Sequence, residues 1–166
     1  MRLAFEPEPG MFIDTMDKFA ELHGKVNRPN FGLTLDIGHL QCNGELPIGD
    51  HIRKWKQWLW NVHIEDMRRG THDHLMFGEG EIEFADVMDA LKEIEYRGGV
   101  YVELSRHSHN AVETARKSME FLRPLVPERS RLGKGETNDV VAEHEAERHA
   151  NVDPGVALPP AGDEPR

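Results

Sequence analysis

The chain of 166 residues is short of cysteine, of basic charge and of long apolar runs, and each shortage removes a class of protein. Cys42 is the only cysteine. No disulfide can form within the chain, and a reducing, cytoplasmic home is the default expectation. Lys and Arg number 20 against 30 Asp and Glu, a formal net charge of -10. Nucleic acid is then a poor partner, because phosphate binding needs a basic surface and no cluster of basic and aromatic residues is present. A small anionic substrate needs only one or two local cations and stays admissible. No apolar stretch approaches the roughly 20 residues of a membrane span, so no membrane partner is expected. Met1-Arg2-Leu3-Ala4-Phe5 meets Glu6 too early to be a secretory h-region. What remains is 38% hydrophobic and 30% charged, enough for one domain with a modest core.

The pattern divides the chain near residue 127. Residues 128–166 have almost no apolar periodicity and contain Pro154, Pro159, Pro160 and Pro165; they read as an acidic, disordered tail in which Val140 to Ala150 could form a transient helix. Within residues 1–127 short apolar runs alternate with helical patterns. Strands are expected at Leu3–Phe5, Phe31–Ile37, Trp60–Ile64 and Gly99–Leu104. Helices are expected at Ile13–Val26, Ile48–Leu59, Phe84–Tyr96 and Asn110–Leu122, with a long loop over Asp66–Glu83. About four strand–helix units of this length argue for an α/β fold with parallel βαβ connections. Trp55, Trp58 and Trp60 read as packing between helix and sheet.

Each strand run ends in a residue that can bind a metal: Phe5-Glu6, Leu35-Asp36, Val62-His63 and Val102-Glu103. In parallel α/β folds the ligand site lies beyond the C-terminal strand ends, so these four positions aim at one mouth. A single acid after a strand reads more simply as a helix cap; four in register do not. Three carboxylates and one imidazole suit a divalent metal, with Mn²⁺ or Mg²⁺ first and Zn²⁺ or Co²⁺ as alternatives, and do not suit a thiolate-seeking ion. Ten histidines are present, eight of them before residue 110. His39, His72 and His74 fall in loops at the same mouth, as do Asp66 and the cations Arg68, Arg69 and Arg106. His39, His74, Asp66 and Arg106 are the candidate substrate contacts. Glu8, Glu65 and Glu81 read as structural or solvent-facing, and His23, His51, His107 and His109 as surface residues.

The runs Phe5-Glu6-Pro7, Leu35-Asp36-Ile37-Gly38-His39, Asn61-Val62-His63-Ile64-Glu65-Asp66, His74 to Ile82 and Val102-Glu103 resemble the C-terminal half of the xylose isomerase-like barrels, the sugar phosphate isomerase/epimerase family. The resemblance spans roughly residues 3–123. It implies the second half of a (β/α)8 TIM barrel, with Glu6, Asp36, His63 and Glu103 as ligands of one divalent metal. It also implies that Glu6 and Glu103 are the catalytic acid–base pair, that His39 is a substrate-contacting or second-metal position, and that His74 lines the pocket. The expected activity is isomerisation or epimerisation of a sugar or sugar phosphate, a small polyhydroxy carbonyl compound, through an enediolate or a hydride shift. The alternatives are an inosose-type dehydratase, an endonuclease IV-like hydrolase, or an inactive half-barrel that only binds. A complete barrel needs eight strands. A half-barrel is therefore expected to expose two sheet edges and an apolar inner face, and to self-associate or bind a missing N-terminal half.

Overall fold

The computed structural model describes residues 1–126, and the expectations for a disordered tail and a helix near 140–150 lie outside the described residues. Four parallel strands form one sheet: β1 (Leu3–Phe5), β2 (Phe31–Asp36), β3 (Leu59–Ile64) and β6 (Gly99–Val102), adjacent in that order. Helix α1 (Met16–Val26) connects β1 to β2, and helices α2 (Ile37–Asn43) and α3 (Ile48–Trp55) connect β2 to β3. A hairpin of β4 (Asp66–Arg68) and β5 (Thr71–Leu75) and then helix α4 (Phe84–Glu93) lead to β6. A 3-10 turn (Ser105–Asn110) precedes the last helix, α5 (Ala111–Leu122). This is the α/β arrangement of half a parallel barrel.

The sheet has two chemically different faces because side chains alternate along a strand. Leu33 and Leu35 of β2 and Val62 and Ile64 of β3 are fully buried and join Phe19, Ile52, Trp55 and Val87 of the helices in one core. Phe5 stacks on Phe19 of α1, which puts the outward side of β1 on the same layer. The opposite, inner face carries Gly32, Thr34, Asn61, Gly99 and the functional side chains. It is less apolar than a half-barrel's interior was expected to be. Trp60 is its largest apolar residue: a Cβ on Gly32 would meet the Trp60 ring at 2.6 Å, so glycine there makes room for the indole. Trp60 thus lies on the inner face and not between helix and sheet, while Trp55 packs on Phe19 and Trp58 on His23 as expected. His23 is not a bare surface residue, since its ring sits among Phe19, Phe31, Trp55 and Trp58. His51 is also partly sheltered, and burial lowers its pKa.

Three local features departed from the sequence expectation. α2 follows β2 with no linker, because Asp36 is both the last strand residue and the helix N-cap; Gly44, at φ 71°, ends it. The expected loop after β3 contains the β4–β5 hairpin, turned by Arg69-Gly70 with Gly70 at φ 72°. Its second strand, Thr-His-Asp-His-Leu, is too polar to announce itself. α3 stops at Trp55, four residues early, and β3 begins at Leu59.

Candidate metal centre

The parallel register brings the four strand-end residues together. Asp36 lies beside His63 across β2 and β3, and Glu6 and Glu103 follow the last residues of the outermost strands. One oxygen or nitrogen of each of Glu6, Asp36, His63 and Glu103 lies within 4.8 Å of the other three. His63 Nδ1 is the centre of the group. It donates to Glu6 Oε1 at 2.8 Å and lies 2.6 Å from Glu103 Oε2 and 3.9 Å from Asp36 Oδ2. The hydrogen bond to Glu6 raises the His63 pKa most; partial burial opposes it, and the charges of Glu6, Glu103 and Asp36 add to the rise.

The donor set fits a divalent cation. Asp36 is 1% exposed. Its Oδ1 accepts from the His39 N–H at 2.9 Å and so caps α2, whereas its Oδ2 is buried without a hydrogen-bond donor among the described residues. A carboxylate oxygen in that state is costly unless a proton or a cation reaches it. Three carboxylates gathered on one imidazole nitrogen raise the same demand, because like charges at this spacing repel.

Behind Asp36 stands Glu65, fully buried, with neither carboxyl oxygen hydrogen-bonded to a donor among the described residues. Gly38 makes room for it, since a Cβ there would run into Glu65 Oε1. Burial first, then the charge of the facing Asp36, push the Glu65 pKa up to about 11. Burial and the facing Asp36 carboxylate both favour the protonated, neutral form of Glu65. Sequence reasoning had set Glu65 aside as structural or solvent-facing, and solvent-facing it is not. The signal that could have found it is its parity with His63, which turns both to one side of the strand.

His39, His72 and His74 form a second group, one ring nitrogen of each lying within 4.8 Å of the others. His39 Nδ1 donates to the Pro7 carbonyl at 2.9 Å, and His74 Nδ1 to the Glu103 carbonyl at 3.1 Å. These bonds fix the tautomers and leave Nε2 of each ring as an acceptor. They also tie the segments that carry Glu6 and Glu103 to α2 and β5. His72 Nε2 is buried without a partner among the described residues, and burial, then the neighbouring His39 and His74, lower the His72 pKa. His72 therefore joins the two expected histidines.

Two candidate contacts are placed differently. Asp66 is no substrate contact: it is 2% exposed, and its oxygens accept from the N–H groups of Met67, Gly78, Gly80 and Ile82. That carboxylate builds the Gly-Glu-Gly loop and has nothing left for a ligand. Arg106 is largely exposed and pairs with Asp73 at 2.7 Å, bridging β5 to the turn after β6. Arg68 donates to the Glu79 carbonyl, and the Arg69 guanidinium lies against Gly44, so neither faces the four-residue group.

Asn61 supports the imidazole from behind, its Nδ2 lying 3.1 Å from His63 Nε2. A metal on Nδ1 would need the ring proton on Nε2 and the Asn61 amide turned to accept it. Asn61→Ala is expected to weaken divalent-metal binding by about 10–100-fold. A chelator-competition titration checks this, and unchanged affinity would remove the orienting role.

The profile of the xylose isomerase-like TIM barrel family matches residues 1–125. Inosose isomerase of Bacillus subtilis is 30% identical over 132 residues, covering 70% of this chain and 46% of the relative. The zinc-bound IolI structure superposes with a TM-score of 0.60 at 26% identity, over 75% of this chain and 49% of that one. A D-tagatose 3-epimerase-like protein gives a TM-score of 0.61 at 26% identity, over 75% of this chain and 48% of that one. The chain spans about half the length of the curated relatives it matches, or less.

Proposed function

We propose that this chain, which belongs to the xylose isomerase-like TIM barrel family, holds one divalent cation on Glu6, Asp36, His63 and Glu103 and serves the isomerisation or epimerisation of a small polyhydroxy carbonyl compound. The observation that carries the reading is the convergence of three carboxylates on His63 Nδ1 with Asp36 Oδ2 left unpartnered. The oxygen-rich set favours Mn²⁺ or Mg²⁺; the zinc in the IolI structure keeps Zn²⁺ in view. Such a cation supplies Lewis acidity, polarising the substrate carbonyl and stabilising the enediolate charge.

The protein's own residues do the rest. Glu6 and Glu103 come from opposite edges of the sheet and reach the same nitrogen, so they flank whatever lies over it. One carboxylate takes the proton next to the carbonyl, and the other returns a proton from the opposite side or to the neighbouring carbon. His39 and His74, with their Nδ1 protons committed to carbonyls, offer Nε2 as acceptors for substrate hydroxyls. Because the chain spans about half of its relatives, the activity belongs to whatever assembly completes the barrel.

The test is solvent-deuterium exchange at the carbon next to a ketose carbonyl, in the Mn²⁺-loaded assembly. Glu103→Gln is expected to slow exchange by about 10²–10⁴-fold, the usual worth of a positioned acid or base, with an unchanged thermal transition. Exchange at the unsubstituted rate would sink the assignment. The three-histidine group, together with relatives named inosose dehydratase, supports a second reading in which the same proton abstraction expels a hydroxyl group. A product lighter by one water would mark that outcome.

A further inference from the structure

Leu46 stands apart among the exposed large apolar side chains of the described residues. The others lie on or beside β1 and β6, or on α5 and just past it, whereas Leu46, 48% exposed, lies on the connection between α2 and α3. It lines a cavity of about 350 Å³ between that connection and the start of α4. Pro47 and Ile48 line it from the same segment, and Glu81, Glu83 and Asp86 from the loop before α4 and its first turn. Gln41 of α2 completes the wall. These lining residues all fall between positions 41 and 86 and follow the two inner strands, β2 and β3. The middle of the sheet therefore builds the cavity, and its outer strands take no part.

Gln41 points to a ligand. It is 5% exposed, and its side-chain amide forms no hydrogen bond among the described residues. A buried amide in that state costs free energy until a partner satisfies it. Residues two apart on a helix point to nearly opposite sides. His39 faces the three-histidine group, so Gln41 points away from the metal centre and towards the cavity. Its amide can both donate and accept.

The carboxylates on the rim decide the sign of that ligand. Glu83 stands at the N-cap of α4 but makes no side-chain cap bond. Glu81 Oε2 accepts from the Arg69 N–H at 3.2 Å, which leaves Oε1. Asp86 is the most committed: its Oδ2 accepts from the Gly49 N–H at 2.7 Å, and its Oδ1 lies 3.8 Å from Arg53 Nη1. No cation is among the described residues that line the cavity. Such a rim repels anions. It does not suit a metal ion either, because these three carboxylates are not all within 4.8 Å of one another, the spacing that gathers the metal-centre residues. A positive charge carried on a compact apolar body fits both the acids and the floor of Leu46, Pro47 and Ile48.

We propose that the cavity between the α2–α3 connection and the start of α4 is a second binding site, for a small organic ammonium ion with an apolar body. The ammonium group lies towards Glu83 and the free Glu81 oxygen, the apolar body lies on Leu46, Pro47 and Ile48, and the Gln41 amide takes a polar substituent. The volume is at the lower end of the roughly 300–1,000 Å³ of small-molecule pockets, room for one such molecule. A protein partner would need on the order of 800 Å² of surface, far more than these few residues offer. The inference does not rest on the metal reading, since none of these residues belongs to the four-residue or the three-histidine group.

Calorimetric titration of the full chain, metal-free and at neutral pH, tests this with 2-phenylethylammonium as the probe and 2-phenylethanol as its uncharged counterpart. The ammonium is expected to bind with a Kd of about 1 mM or below, and roughly tenfold tighter than the alcohol. Leu46→Ala should weaken it about fivefold through lost apolar contact, and Glu83→Gln about threefold through lost charge. Leu46 is half exposed and Glu83 makes no cap bond, so neither change should move the thermal transition, and either variant alone suffices for the test. Glu21→Gln removes the same charge from the exposed side of α1 and should leave the affinity unchanged. No measurable binding, equal affinity for the two probes, or an equal loss in Glu21→Gln and Glu83→Gln overturns the proposal. Binding untouched by both Leu46→Ala and Glu83→Gln would put the cation among Glu6, Asp36 and Glu103, which overturns it as well.

Discussion

Replacing Asp36 by asparagine is expected to stabilise the metal-free protein while weakening divalent-metal binding by more than about 100-fold, beyond the loss from removing an outer partner of a ligand. Most site substitutions cost either stability or function; this one separates them in sign. Asparagine keeps Oδ1 and caps helices as well as aspartate does, so the bond from the His39 N–H survives and α2 starts where it does now. What changes is the second atom. Oδ2 is buried, has no hydrogen-bond donor and stands against Glu65, Glu6 and Glu103. An amide nitrogen there removes one charge from a crowded group and can donate to the Glu65 carboxyl. Relief of a buried unsatisfied polar atom is worth about 1–3 kcal/mol. Thermal melts with and without Mn²⁺ read both effects: the variant should melt higher without metal and gain almost nothing on adding it. A variant that melts lower without metal would show that Asp36 serves the fold alone. One that keeps the metal-induced shift would show that the cation sits elsewhere.

The four convergent residues were legible in the sequence because a strand end is a strong local signal: an apolar run, then a polar side chain. Glu6, Asp36, His63 and Glu103 all carry it, and the parallel sheet does the gathering. Glu65 carried the same letter as a surface acid, and its meaning came from Gly38, which is distant in sequence and whose missing Cβ leaves the space that it fills. Asp66 misled in the opposite way. Its position beside the strand end suggested the mouth, but the Gly-rich loop after β5 supplies enough backbone N–H groups to consume both of its oxygens. The hairpin was hidden because strands that carry His72 and His74 have no apolar alternation to read. Periodicity reports what faces the core, and the residues that face a site leave no such trace.

The proton on Glu65 gives the second large effect, a stability that falls as pH rises. Its folded pKa, near 11, lies above the ordinary value of 4.5. Below 4.5 the group is protonated in both states and costs nothing by this route. Between 4.5 and 11 the unfolded chain has released a proton that the folded chain keeps. The folded state therefore loses up to about 1.4 kcal/mol per pH unit over that window, on the order of 3 kcal/mol by neutral pH. Glu65→Gln has nearly the shape of the neutral acid and does not titrate. Urea midpoints of the metal-free proteins between pH 5 and pH 9 should converge at the acid end and diverge steadily above it, the variant being the more stable. His63 titrates in both proteins, so its contribution largely cancels in the difference. Parallel profiles would mean that Glu65 is ionised in the folded state and that a rearranged donor reaches it. Bound metal should flatten the unsubstituted profile, because a cation on Asp36 offsets the charge that raises the Glu65 pKa and so favours the ionised acid. The Glu65 proton and a cation on Asp36 thus oppose each other across two facing carboxyls, which ties the fold's pH dependence to the occupancy of the site.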